Sequence, residues 1–452
     1  MNKQAAFSPA QVSLRRSTLL FFATSVLLLM AIPPPGASAA PDLLHRFSLD
    51  VREDGSEFEV RMEAWSPGAA WDIRGREGAA IRLLIDGIYD QHVFVFAPSI
   101  SRNAAFIIGP LLAGKHEVRM EWETSWSPVR SLRPRLGKLE VHNIDRKRTP
   151  LLRAPILHLR EDTIGRFSDV PLLMYWESDP GNPSKVVYTV VFSNEDGGTN
   201  TERLMARWGR TTDIEWCYSY LEGDGMPGEE YQGPEHETLP FQGRKIGDHP
   251  VFWVATANNN FTDRSESKSE ARVRLSPTPG ALSGFARERV MDRFPWTYAV
   301  MSQEMIRENK IETPADPGSV RVSDLRNYAY LEVCAEQSGT ELFFEIQIRG
   351  SNRWFTSHHV DPEARIGRSG CVRSTIELPR GTDARDLRAL RIQCVQSPPS
   401  RGAEKEGEPR ATIISVPRLF LLARNFLPGA NLLDVALKKD LRPGDSVVVE
   451  IR

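Results

Sequence analysis

The feature that most constrains this 452-residue chain is an alternation of apolar and polar side chains that resumes after each turn signal. Phe47, Leu49 and Val51 alternate with polar neighbours. After Arg52-Glu53-Asp54-Gly55-Ser56 the pattern returns, with Phe58, Val60, Met62 and Ala64 set against Glu57, Glu59, Arg61 and Glu63. Period two on both sides of an Asp-Gly turn predicts a β-hairpin with one face toward a core and one toward water. Further strands are expected at 81–85, 93–96, 106–108, 116–122 and 139–141. About seven short strands in about 100 residues make a sandwich.

The first 40 residues do not share this pattern. Lys3, Arg15 and Arg16 precede or enter an apolar run at 19–32, and no acidic residue occurs before Asp42. Ala37-Ser38-Ala39 then offers a small-x-small site, so 1–39 reads as a secretory signal peptide cleaved after Ala39. The run is shorter than the ~20 residues of a membrane span. Ser13-Leu14-Arg15-Arg16 departs from the twin-arginine pattern, and the ordinary export route is expected. The protein should therefore be exported, to the periplasm or outside the cell, with no membrane span after cleavage.

Without the signal's three cations, 54 Lys and Arg face 59 Asp and Glu, a net charge near −5. Such a balance gives no reason to bind nucleic acid. The chain is too long for one core, and the boundaries expected are 40–148, 151–278 and 280–452. Asp145-Arg146-Lys147-Arg148-Thr149-Pro150 reads as a solvated linker, with a protease site as the alternative. The fold class is mainly β: tandem antiparallel β-sandwich modules, immunoglobulin-like, then central β-rich, then jelly-roll-like, with few short helices.

The central stretch carries the clearest site candidates. An apolar strand at 186–192 enters Ser193-Asn194-Glu195-Asp196-Gly197-Gly198. Thr199 and Glu202 stand at capping-box spacing. A short helix with Leu204, Met205 and Trp208 should stop at Gly209. In the next strand, Ile214, Trp216, Tyr218 and Tyr220 are expected on one face and Asp213, Glu215, Cys217 and Ser219 on the other. Carboxylates two apart on a strand converge on one side, with Cα atoms about 6.5 to 7 Å apart. Three readings follow: a solvated strand face, a calcium site of Glu195, Asp196, Asp213 and Glu215, or catalytic acid–base work by Asp213 and Glu215. The solvated face is the ordinary one. His236, Asp248 and His249 are further partners in reach. Cys217 is expected to be core packing, and the sequon Asn260-Phe261-Thr262 to be unused behind a bacterial-type signal.

In the last third, strands are expected at 328–336, 341–348, 372–378, 390–395, 411–416 and 446–451, with a helix near 298–308 and an exposed loop at 401–410. Arg353, Trp354 and Phe355 in a turn-rich stretch are the sugar-stacking candidates, against core packing as the plainer role. His358-His359 cannot hold one ion from a strand, because adjacent residues point apart. Cys334, Cys371 and Cys394 offer one disulfide; Cys334 with Cys394 would join facing sheets, and Cys371 competes. No Cys-x-x-Cys, Gly-x-Ser-x-Gly or phosphate-binding glycine loop occurs.

Two resemblances complete the reading. Gly109-Pro110-Leu111-Leu112-Ala113-Gly114-Lys115-His116-Glu117-Val118 resembles the penultimate turn and strand of immunoglobulin-like accessory modules of secreted proteins, which implies a fold and no activity. The strand-to-turn passage, Asp213-Ile214-Glu215-Trp216 and the strand from Pro250 to Phe261 together resemble the vacuolar protein sorting protein 62-like family. That family's Gly-Asp before the acidic pair is missing, and Asn258 to Asn260 stands where a histidine is expected. This resemblance covers about 80 residues and implies a β-sandwich. The expected function is a non-catalytic exported binding or structural protein, with a polysaccharide, an envelope component or a protein as ligand. The alternatives are a carboxylate-based hydrolase on Asp213 and Glu215, with calcium as its one candidate cofactor, and a scaffold with no small ligand.

Overall fold

The structure is a computed structural model. It describes residues 42–96, 102–145, 147, 149–195, 200–222, 228–265, 271–280, 282, 284–315, 320–358, 361–398 and 408–451. The expected export signal, Asp196, Thr199, His359 and most of the expected 401–410 loop lie outside the described residues. Strand makes up 50% and helix 11%, in several antiparallel sheets, as the alternation requires.

The first sandwich holds β1 (Leu43–Val51), β2 (Ser56–Trp65), β3 (Ala79–Ile85), β4 (Ile88–Val95), β5 (Arg102–Leu111), β6 (Gly114–Glu123) and β7 (Arg135–Asn143). They form one sheet in the order β1-β6-β3-β4 and another in the order β5-β2-β7. Val60, Met62, Ile81, Leu83, Ile108 and Met120 fill the space between. The Gly109 to Val118 stretch makes the β5–β6 turn and enters β6, the sixth of the seven strands.

After α1 (Thr149–Leu152) come β8 (Ile156–His158), α2 (Glu161–Ile164), β9 (Pro171–Asp179), β10 (Asn182–Phe192), α3 (Thr201–Trp208) and β11 (Asp213–Leu221). β12 (Glu230–Gln232), β13 (Thr238–Pro240), β14 (Lys245–Ile246), β15 (His249–Val254), β16 (Phe261–Thr262), β17 (Arg272–Val273) and β18 (Thr278–Pro279) follow. One central sheet runs β13-β12-β11-β10-β9-β18 and the facing one β14-β15-β8-β17. Phe252 of β15 meets Tyr218 of β11 at 5.9 Å between ring centroids, which fixes the two sheets face to face.

Asn200 caps α3, accepting from the Glu202 amide. Its end is as expected. Gly209 adopts φ +63°, and a Cβ there would meet Arg373 Cγ at 2.6 Å, so both conformation and crowding select glycine.

Helices α4 (Arg289–Arg293) and α5 (Trp296–Arg307) cover the outer side of the large central sheet. Met291, Met301 and Met305 share a core with Ile214. The same core reaches Phe94 of the first sandwich and Tyr330 and Phe420 of the last, and residues from Asp42 to Arg452 pack as one compact unit.

The last sandwich holds β19 (Tyr328–Ser338), β20 (Thr340–Ile348), β21 (Trp354–Thr356), β22 (Gly370–Glu377), β23 (Leu387–Gln396), β24 (Arg410–Leu421), β25 (Val435–Leu441) and β26 (Ser446–Glu450). Its sheets run β22-β19-β24-β25 and β21-β20-β23-β26. Cys334 bridges to Cys371, its direct partner across β19 and β22. The Cys334–Cys394 alternative fails on period two. Leu331, Val333 and Ala335 point into the sandwich, so Cys334 points out of it, while Cys394 points in.

Candidate functional site

Two places collect the residues singled out from the sequence. The first is one end of the central sandwich, where four connections converge: β10 to α3, α3 to β11, β12 to β13 and β15 to β16. Asp213 is fully buried and Glu215 is 9% exposed. The solvated-face expectation is therefore wrong.

A bulge explains why. Tyr188 pairs with Tyr218 but Thr189 pairs with Trp216, so Cys217 is an extra residue on β11. The bulge flips the alternation. Asp213 and Tyr218 thus both turn toward the facing sheet, where Asn259 and Phe252 meet them. The expected split of acids and aromatics onto opposite faces does not hold. Cys217 itself is a free buried thiol whose pKa burial pushes up, which is core packing as expected.

Arg210 organises this end. Its Nη1 stands 3.6 Å from Glu195 and 3.7 Å from Asp213, and its Nε donates to Glu288 at 3.3 Å. It also donates to the Thr212 carbonyl. Asn259, at φ +52°, donates to Asp213 at 3.1 Å and to the Asn194 carbonyl at 3.2 Å. Gln232 donates to Glu215. The His236 ring, at φ +62° and half exposed, meets Gln232 at 2.8 Å, Asn260 at 3.1 Å and Asn258 at 2.8 Å. It lies 4.0 Å from Glu215.

Burial dominates the electrostatics here. It pushes the Glu195 carboxyl up to about 7 against the opposing pull of Arg210, and raises Asp213 in the same direction with help from Glu215 and Glu195. Asp213 Oδ1, Gln232 Oε1 and Asn259 Oδ1 are buried without a hydrogen-bond partner.

Among the described residues, one group of three ligand atoms closes to within 4.8 Å, Glu332 with Cys334 and Cys371, and the disulfide takes both thiols. Glu195, Asp213 and Glu215 do not reach that spacing. His249 does not join them: it is buried against Glu57 at 2.5 Å and the Ala154 carbonyl at 2.7 Å, tying the central sandwich to the first. Asp248 is exposed. Arg210, Gln232 and Glu288 had no sequence signal, since a charged or amide residue beside a turn reads as solvated.

The second place is the outer face of the β21-β20-β23-β26 sheet. Leu342, Phe344 and Ile346 face the core, so Phe343, Glu345 and Gln347 face out. Phe355 also packs on the core, so Trp354 faces out. The three residues Arg353, Trp354 and Phe355 are thus divided: Trp354 joins the outer face, and Arg353 stacks on the inward Phe355 at 4.9 Å.

Arg391 stacks 4.2 Å from the Trp354 ring centroid and donates to Glu345 at 2.6 Å. Gln393 donates to the same oxygen at 2.9 Å. His358 stands edge-on to Phe343 at 4.4 Å. Two half-buried rings therefore sit among fixed carboxylate, amide and guanidinium groups on an open sheet.

No protein-family model and no curated protein matches the sequence. Among solved structures, the chain is similar to the C-terminal domain of the sugar-binding protein EclA, at 12% identity and a TM-score of 0.18, over 23% of this chain and 68% of that one. It is likewise similar to a family 35 carbohydrate binding module from an environmental isolate, at 8% identity and a TM-score of 0.16, with the same coverage. No described helix is long and apolar enough to cross a membrane.

Proposed function

We propose that this is an exported binding protein whose last sandwich holds a polysaccharide on its outer sheet face. The observation that carries this reading is the ring of Trp354, held by Arg391, beside Phe343, Glu345, Gln347 and Gln393. Aromatic rings take the apolar faces of sugar rings, and nearby fixed polar groups set their orientation. Export is supported by the composition of 1–39 and by the Cys334–Cys371 bridge, a bond of oxidising compartments.

Affinity electrophoresis of the whole chain in gels containing soluble polysaccharides tests the reading. Retardation in at least one glycan is expected, with a loss of about tenfold or more in Trp354→Ala and a little-changed unfolding midpoint. Retardation that survives Trp354→Ala unaltered would remove this face from consideration.

A second reading, a carboxylate-based hydrolase, is supported by the raised Asp213 and Glu195 carboxyls beside the accessible His236. Calcium belongs to this reading, because the unpartnered oxygens of Asn259 and Gln232 are of the kind calcium takes. Calorimetric titration with Ca²⁺ tests it. Saturable binding lost in an Asp213→Ala/Glu215→Ala variant supports a cation site there. Heatless titration of a folded chain removes calcium from the reading.

A further inference from the structure

β4 and β5 are edge strands of the two sheets of the first sandwich, and the sandwich is open between them. The chain after β17 closes that opening: the Ile107 amide donates to the Arg274 carbonyl at 2.9 Å and the Ser276 amide to the Ala105 carbonyl at 3.0 Å. Gln91 pins the end, donating to the Ile107 carbonyl at 2.7 Å and accepting from the Arg274 amide at 3.1 Å.

Behind this closure lies a cavity of about 410 Å³, walled by Phe94, Phe106, Leu172, Met174, Leu275 and Trp296 among others. That volume falls in the range of about 300–1,000 Å³ typical of small-molecule sites. A lining that is mostly hydrocarbon with a few convergent polar groups suits a largely apolar occupant.

The wall has a polar end. His92 lines the cavity, is 4% exposed, and has no partner for Nε2. Tyr89 oxygen accepts from the Arg272 amide at 3.1 Å and meets His92 Nδ1 at 2.7 Å. Burial lowers the His92 pKa to about 4, so the ring is neutral and its Nε2 offers one hydrogen-bonding site to the cavity. Arg274, also lining the cavity and 4% exposed, has no partners for Nε and Nη2. The Arg274 guanidinium is a cationic donor that meets Asp90 at 3.7 Å through Nη1, and Gln91, Ser276 and Thr278 add polar groups to a lining that is otherwise hydrocarbon. The complement is a long apolar chain that ends in acceptor oxygens.

We propose that this cavity binds an acyl chain of the fatty-acid class, the hydrocarbon lying among Phe94, Phe106, Leu172 and Trp296 and the head oxygens meeting His92 and Arg274. The site is separate from the sugar face and from the central carboxylates.

The test is a fluorescence titration of the whole chain with cis-parinaric acid, followed by displacement with palmitic acid and with its methyl ester. Saturable enhancement at one equivalent and displacement by palmitic acid are expected. Leu173→Trp, which fills the cavity, should weaken binding by about tenfold or more. Arg274→Met should weaken the acid by about tenfold while leaving the ester within about twofold. Trp354→Ala should bind the probe as the unaltered chain does. No saturable enhancement in a cooperatively folding chain overturns the proposal, as does full affinity in a folded Leu173→Trp variant. If Leu173→Trp does not fold, equal loss of acid and ester in Arg274→Met overturns the anionic head. A preference for the ester would point instead to the acyl tail of a lipid.

Discussion

β11 and β20 carry much the same kind of sequence, acids alternating or mixed with aromatics, and end up in opposite surroundings. Phe343, Glu345 and Gln347 of β20 stay on an open sheet face, because one side of the last sandwich is left to solvent. Asp213 and Glu215 of β11 are buried, because the central sheet is covered twice: α4 and α5 lie on one side and the β14-β15-β8-β17 sheet on the other. Alternation tells which side chains share a face. Whether that face meets water depends on the next layer, which comes from elements far along the chain, β8, β14, β15, α4 and α5. The chemistry diverges accordingly. On the open face, the partly exposed Arg391 holds Glu345 beside the Trp354 ring. At the covered end, the same groups must satisfy one another, and burial raises the Glu195 and Asp213 carboxyls.

The sharpest way to break this contrast is to remove one guanidinium from each place. Arg210→Met removes the guanidinium that Glu195, Asp213 and the buried Glu288 share. A loss of about 3–5 kcal/mol in urea unfolding at neutral pH is expected, as for other broken buried pairs. Arg391→Met, on the open face, should lose about 1 kcal/mol or less, since its bond to Glu345 is partly solvated. Similar losses in the two variants would mean that the central cluster is wetter than its burial indicates.

The sequence was most readable where one face decides the structure. The hairpin around Gly55, the seven strands of the first sandwich and the stop at Gly209 follow from period two and from turn chemistry. It was least readable where packing across the sequence decides. The Cys217 bulge leaves no local mark, yet it reverses which neighbours Asp213 keeps. Arg210 looked like a loop cation and is the hub of the cluster. Trp354 and Phe355 are adjacent, and only the register against β20 shows which one faces out. Cys334 shared its strand with inward residues but not its face, and that parity alone chose Cys371 over Cys394.

A finer measure of the same contrast is the pH dependence that the covered end imposes. Burial, opposed by Arg210, lifts the Glu195 pKa from 4.5 to about 7. Between these values the folded chain keeps a proton that the unfolded chain has released, so stability falls as pH rises through the window and is unaffected below it. The size is about 2–3 kcal/mol. Asp213 acts in the same sense, and Glu304, also lifted to about 7 by burial, adds to it. His92 acts in the opposite sense: held neutral down to about 4, it makes stability rise with pH up to the ordinary histidine range. The total slope therefore mixes both signs, and the informative quantity is a difference. Glu195→Gln removes one titration and leaves the rest. Its unfolding free energy, relative to the unaltered chain, should shift upward by about 2–3 kcal/mol between pH 5 and pH 7.5. A flat difference for Glu195 would place its carboxyl in water, and the contrast between the two ends of the molecule would then rest on Asp213 alone.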